Sequence, residues 1–378
     1  MSLETVLFMG HMKVGSTSLQ AHLATHVGAL EKAGILYPAT SPEGLAHNRA
    51  LIAGERRGAD LGRFGILAPH NALAYRMLVE GGHMQRLPGR FEGTPASEEI
   101  AALIERQIAE TAPRTLLYCA EIFGRFGRHD PALVADLKAR FTRGPVRWLC
   151  TLRRPDDYLI SWHVHRLKIG DRTGRLASRA IRDYAGSIHL DYRRFLAPWI
   201  DTFGTEAMVL SDYAEVREAG GSVPAFLAAS RLPIPPDLPS PPDRNLGLHR
   251  ALAEIARRGN HALPPGPAKT LRKFLEETGP ALDLPPSREI EMIGARRRRW
   301  LAREFAPVAR WLDGLVDRPR FFQEIDRMTD TAPLPEMEAA RAALAQLQTP
   351  GRLAACPETA RPFLTGLRLP RLSLERLL

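Results

Sequence analysis

The residues that invite chemistry lie near the N-terminus, in "FMGHMKVGSTSLQ" (residues 8–20). A phosphate loop of the Walker A type reads G-x-x-x-x-G-K-[ST]. Gly10, Gly15 and Thr17 stand where that pattern places them, but Ser16 occupies the lysine position. The nearest lysine, Lys13, lies on the other side of Gly15. A glycine turn between a strand and a helix aims backbone N–H groups at an anion, and the helix dipole favours negative charge. The stretch therefore reads as an anion cradle, with its lysine in the turn and not at the helix start. Further along, "LRRPDDYLISWHVHRLK" places Arg153 at the end of an apolar run and Ser161 eight residues later. Glu121 ends "TLLYCAE", and His47 sits in "GLAHNRAL".

These residues need elements to position them. "TVLFMG" (5–10) is a short apolar run closed by glycine, which reads as a buried strand. From Ser16 on, Leu19, Leu23, Val27 and Leu30 recur at helical spacing until Gly34 stops the helix. "GILYP" (34–38) reads as a short extended piece. "TLLYCAE" (115–121) is a second strand, after an amphipathic helix carrying Ile100, Leu103, Ile104 and Ile108. "VRWLCTLRR" (146–154) is a third. Pro155, Asp156 and Asp157 then suit the first turn of a helix. "EAMVLSDY" (206–213) is a fourth, after a helix with Phe195, Leu196, Trp199 and Phe203. Strands alternating with helices predict an α/β fold: a mainly parallel sheet of the P-loop type, covered on both faces.

The expected organisation is an α/β core over 1–230, a proline-rich connector over 231–245, a helical extension over 246–348 that packs on the core, and a loosely held basic tail over 349–378. In the extension Ile290, Ile293, Leu301, Phe305, Val308, Leu312 and Leu315 follow helical spacing, with a kink or break expected at Pro307. The run Arg296–Arg299 reads as a solvated helix face or as a contact for an acidic substrate.

The 378 residues carry a net charge of +10, which favours anionic ligands without selecting among them. Three widely spaced cysteines, Cys119, Cys150 and Cys356, argue against a disulfide framework or a zinc site. His163 and His165 lie two apart on a helix, where side chains diverge, and read as packing or surface residues. No apolar run is long enough to span a bilayer, and no leader is visible. A soluble, cytoplasmic protein is expected.

Lys13-Val14-Gly15-Ser16-Thr17 resembles the 5′-phosphosulfate loop of the sulfotransferases that use 3′-phosphoadenosine 5′-phosphosulfate, and "GSTSLQ" looks most like their bacterial members. Val14 replaces a usual threonine there. The family's second signature, a strand ending in arginine with a serine eight residues on, is matched by Arg153 and Ser161. "GILYP", "AEIFGRF", "LDYRRFLAPWIDTFG" and "RNLGLHRALAEIARRGN" extend the resemblance over most of the chain. The arginine-lysine-glycine segment of cytosolic animal enzymes has no match, unless residues 296–299 serve that role.

The resemblance implies transfer of a sulfuryl group to a hydroxyl, or an amine, of an acceptor such as a glycan or glycolipid. It implies that Lys13 neutralises charge on the bridging oxygen as 3′,5′-bisphosphoadenosine departs. Gly15, Ser16, Thr17 and Ser18 would hold the 5′-phosphate, and Arg153 and Ser161 the 3′-phosphate. Glu121 is the first candidate for the general base and His47 the second; Glu121 alternatively caps the next helix or pairs with an arginine. No metal is expected. Acceptor contacts are expected within 39–95 and 165–190. The rival readings are a P-loop kinase or NTPase, and a polyanion-binding protein without turnover. Nucleic acid is not an expected partner, because the arginines are scattered and no known nucleic-acid motif is present.

Overall fold

A computed structural model of the chain describes residues 3–55, 64–239 and 247–370. In chain order, β1 (Glu4–Gly10) turns into α1 (Ser16–Thr25) and α2 (Val27–Lys32), followed by β2 (Ile35–Leu36). Next come α3 (Pro42–Ile52), α4 (Phe64–Leu67), α5 (Pro69–Glu80) and α6 (Ser97–Thr111), leading to β3 (Thr115–Cys119). α7 (Phe126–His129) and α8 (Ala132–Phe141) precede β4 (Val146–Leu152). α9 (Pro155–Ile169) and α10 (Tyr192–Phe203) precede β5 (Met208–Asp212), which runs into α11 (Tyr213–Glu218) and α12 (Ser222–Ser230). The remaining elements are α13 (Arg250–Ala262), α14 (Pro265–Thr278), β6 (Ile290–Glu291), α15 (Ala295–Asp313), β7 (Leu334–Pro335), α16 (Glu336–Leu347), α17 (Pro350–Ala355) and α18 (Arg361–Gly366).

These elements form two compact units. The first comprises Met1–Arg153, Asp191–Pro242 and Val308–Phe322; the second comprises Arg154–Leu190, Asp243–Pro307 and Gln323–Leu378. This division differs from the expected one. Residues 154–190, read as part of the α/β core, group with the C-terminal helices.

The first unit is built on a five-stranded, fully parallel sheet in the order β2-β3-β1-β4-β5. β1 is central, and its residues from Thr5 to Gly10 are all buried, as a parallel strand covered on both faces requires. Successive side chains alternate between the faces. Val6, Phe8, Leu117, Cys119 and Leu149 pack with Leu19 and Leu23 of α1 and Phe226 of α12. On the other face Trp148 meets Trp199 of α10, with ring centres 6.0 Å apart. The helix expected over the first apolar repeat is broken at His26 into α1 and α2.

In the second unit, Pro155 opens α9 and Asp156 and Asp157 occupy its first turn, while Gly170, at φ 103°, closes it. Leu252, Ile255 and Ala256 of α13 are buried, as are Leu271 and Leu275 of α14 and Ala340, Ala343 and Leu347 of α16. Three readings are corrected here. Ile290 belongs to a short parallel pairing of β6 with β7, and the helix begins only at Ala295, after Gly294 at φ 83°. Pro307 does not break α15, which continues to Asp313. The segment from 349 to 370 is not loose: it holds α17 and α18, with Cys356, Ala360 and Leu364 buried. The rest of the expected tail, 371–378, lies outside the described residues, as do 240–246 of the connector.

Candidate functional site

The glycine turn after β1 is held in an unusual conformation. Lys13 has φ 70° and Gly15 has φ 85°, both in the left-handed region. Gly15 is the residue before the first turn of α1, and no acidic residue occupies that turn. The positive end of the helix therefore faces the turn with its N-terminal backbone donors, the arrangement that suits an anion. A side chain at Gly15 would also collide with Ser222, whose Cβ and Oγ would lie 2.9 Å from it. Ser222 Oγ donates to the Gly15 carbonyl at 2.8 Å, fastening the loop to the start of α12. Val14, where the resembled loop has threonine, is buried and fills the space beside Gly10.

Two sequence candidates meet at this turn. Ser16 Oγ donates to the Glu121 carboxylate, which stands just beyond β3. The end of β3 is itself fixed from α1 and α5. Gln20 Nε2 donates to the Cys119 carbonyl at 3.3 Å, and the Cys119 N–H donates to His70 Nδ1 at 3.0 Å. His70 Nε2 lies 3.1 Å from the Pro38 carbonyl, so the ring is neutral with its proton on Nε2. Burial pushes its pKa down to about 3, which the hydrogen bond to Pro38 only partly offsets. Burial, with the Glu121 carboxylate nearby, pushes the Cys119 thiol well above its ordinary range.

A third candidate, Arg153, closes the same unit. Its Nη1 donates to the Lys13 carbonyl at 2.8 Å, and its guanidinium carbon lies 4.6 Å from the centre of the Tyr213 ring. Tyr192 Oη donates to the Arg153 carbonyl at 2.7 Å. His11 packs edge-on against Tyr192 at 4.2 Å, and its Nδ1 accepts from the Arg153 N–H at 3.4 Å. His11, Tyr192, Tyr213 and Ser222 went unnoticed in the sequence, and Arg125, which donates to the Met12 sulfur at 3.1 Å, joins them. Only proximity in the fold reveals them; no motif or spacing carries the signal.

The remaining candidates fall as follows. Thr17 and Ser18 are half-buried in the first turn of α1. His47 is 5% exposed on α3, whereas Glu121 is half-buried and more open to an incoming group. Ser161 is half-buried on α9, in the second unit. Of the histidine pair, His163 Nδ1 lies 3.2 Å from Tyr184 Oη and His165 stacks on Trp162, both packing roles. Among the described residues no group of three or more His, Cys, Asp or Glu is arranged to hold a metal ion, and no helix is long and apolar enough to cross a membrane. The three cysteines are free and buried.

The chain was compared with family models, curated proteins and solved structures, and none of the three comparisons yields a match.

Proposed function

We propose that the first unit is the donor-binding part of a sulfotransferase that uses 3′-phosphoadenosine 5′-phosphosulfate. The observation that carries this reading is the coupling of four sequence candidates at one turn. Lys13 sits in a left-handed conformation, its carbonyl is held by Arg153, and the adjoining Ser16 hydroxyl is held by Glu121. The residues fit a group with one phosphate at a helix start and further negative charge beyond the turn. The P-loop character of the sheet is part of the same proposal.

The donor, when bound, supplies an activated sulfuryl group. The backbone N–H groups of Gly15, Ser16 and Thr17, with the hydroxyl of Ser18, would hold its 5′-phosphate, since the Ser18 N–H already donates to the Gly15 carbonyl. Lys13 would offset charge on the bridging oxygen, and charge stabilisation of this kind carries most of the rate in loose transfers. Arg153 is braced by Tyr213 and Lys13, as a phosphate-reading arginine must be, and would read the 3′-phosphate. Glu121 already accepts a hydrogen bond from the Ser16 hydroxyl, so its carboxylate is suited to receive an acceptor hydroxyl in the same way and take its proton. A cavity of about 430 Å³ lined by Thr40, Ser41, Glu43, Arg90, Phe91 and Thr94 falls within the stretch expected to contact the acceptor, and its mixed lining suits a glycan or glycolipid hydroxyl.

Calorimetric titration with 3′,5′-bisphosphoadenosine, AMP and ATP·Mg²⁺ tests the reading. Metal-independent binding of the bisphosphate that weakens sharply for AMP is expected. Preference for ATP·Mg²⁺ would transfer the loop to the kinases, and full turnover by a Glu121→Gln variant would remove the base assignment.

A further inference from the structure

The arginine run at residues 296–299 divides into two kinds of residue. Arg298 is 6% exposed and structural. Its Nη1 lies 3.0 Å from Asp156 and its Nε 3.0 Å from Glu291, while Glu291 accepts the N–H groups of Ile293, Gly294 and Ala332. This anchor fixes the first turn of α15 within the second unit. The flanking arginines behave otherwise. Arg296, Arg297, Arg299 and Arg303, together with Trp300, line a cavity of about 320 Å³, and Arg182 closes it from a distant segment.

Arg182 is exposed on a segment that is itself anchored. It lies in the turn Arg179–Tyr184, where Ile181 and Tyr184 are buried and Tyr184 Oη lies 3.2 Å from His163 Nδ1. Among the described residues no carboxylate lies within 4 Å of any of these five guanidinium groups. Several other arginines in this unit are paired: Arg154, Arg166, Arg175, Arg257 and Arg258 all have acidic partners. On α15, Arg296 and Arg299 stand three residues apart and Arg299 and Arg303 four apart, so like charges face one another along the helix. The first turn of the helix also has no acidic residue to balance the positive end of its dipole. Five guanidinium groups without an acidic partner line one cavity, an arrangement suited to an anion.

We propose that this cavity binds a compact polyanion, a sugar or cyclitol ring carrying several sulfate or phosphate esters. The chemistry matches. Guanidinium forks bind such esters through paired hydrogen bonds, and the indole of Trp300 offers a flat face for the ring. The cavity has the volume of a small-ligand site. A nucleic-acid strand would call for an extended basic stripe with several interleaved aromatics, and here one aromatic serves one cavity. All six residues lie in the second unit, so the site does not depend on the function proposed above.

The test is calorimetric titration of the full chain with sucrose octasulfate, inositol hexakisphosphate and a single-stranded oligothymidylate. One molecule of the octasulfate or the hexakisphosphate is expected to bind per chain, and the preferred one names the ester. The double variant Arg182→Gln/Arg299→Gln should weaken that binding roughly tenfold or more, through loss of two charge-assisted contacts. A control variant, Arg106→Gln/Lys273→Gln, removes the same charge at exposed positions elsewhere and should change affinity by less than about twofold, as screened distant charges do. Equal weakening in both variants would reduce the effect to the net charge of +10 and overturn the site. So would tighter binding of the oligothymidylate that depends on the same two arginines.

Discussion

The turn at Gly15 offers a perturbation whose size follows from geometry. Replacing Gly15 by alanine adds a Cβ in two unfavourable circumstances at once. The residue has φ 85°, and the new atom would lie 2.9 Å from the Cβ and Oγ of Ser222. The left-handed conformation costs an L-residue about 1–2 kcal/mol. Displacing Ser222 also breaks its 2.8 Å hydrogen bond to the Gly15 carbonyl, about 1 kcal/mol more. Gly15→Ala should therefore lower stability by about 2–3 kcal/mol. Ser222→Gly removes both colliding atoms and the hydrogen bond, so the double variant keeps the conformational cost but not the clash. It should be more stable than the sum of the single changes predicts by about 1 kcal/mol, because the shared hydrogen bond is lost only once. Urea denaturation of the four proteins measures the cycle. Titration with 3′,5′-bisphosphoadenosine then reads the cradle: re-aimed loop donors lose one charge-assisted hydrogen bond, roughly tenfold in affinity. Wild-type stability in Gly15→Ala, or strict additivity in the cycle, would refute the claim that Ser222 and the left-handed turn together hold the loop.

Two further outcomes follow from buried charge. His70 is neutral in the folded chain, with its pKa pushed down from 6.5 to about 3, so between those values the unfolded chain binds one proton more. Its contribution is complete above about pH 6.5 and is lost as pH falls, by about 2 kcal/mol at pH 5. His70→Gln can still accept from Cys119 and donate to Pro38, and should flatten the stability slope between pH 7 and 5 by about one proton; an unchanged slope in denaturant melts would contradict the buried neutral ring. In the second unit, Arg298→Met should cost about 3–5 kcal/mol, because Asp156 and Glu291 lose a buried counter-charge. Arg296→Met and Arg299→Met should stay within about 0.5 kcal/mol of wild type in the same melts. Equal costs for the three would mean that the run is uniform after all.

The contrast within that run shows what a sequence conveys and what it withholds. Four consecutive arginines read alike along the chain, yet the helix turns Arg298 away from the cavity that the other three line, and only the partners at 156 and 291 show that it is the one turned inward. The strands were legible for the opposite reason. β1, β3 and β4 are continuous apolar runs whose burial on both faces needs no particular partner, so local composition settles their nature. The α/β class and the glycine turn were equally plain, since Gly10 and Gly15 bracket a strand-to-helix passage. The brace around Arg153 was not, because Lys13, Tyr192 and Tyr213 come from segments far apart in the chain and are joined only by the fold. The interleaving of the two units hid for the same reason. The segment 154–190 is composed like its neighbours, and its allegiance is set by contacts beyond residue 243. Sequence thus locates groups able to do chemistry, while the cost of burying charge and the closing of long loops determine which are braced for it. Lys13, Ser16, Glu121 and Arg153 are braced within one unit, and for that reason they, and not the more deeply buried His47, carry the functional proposal.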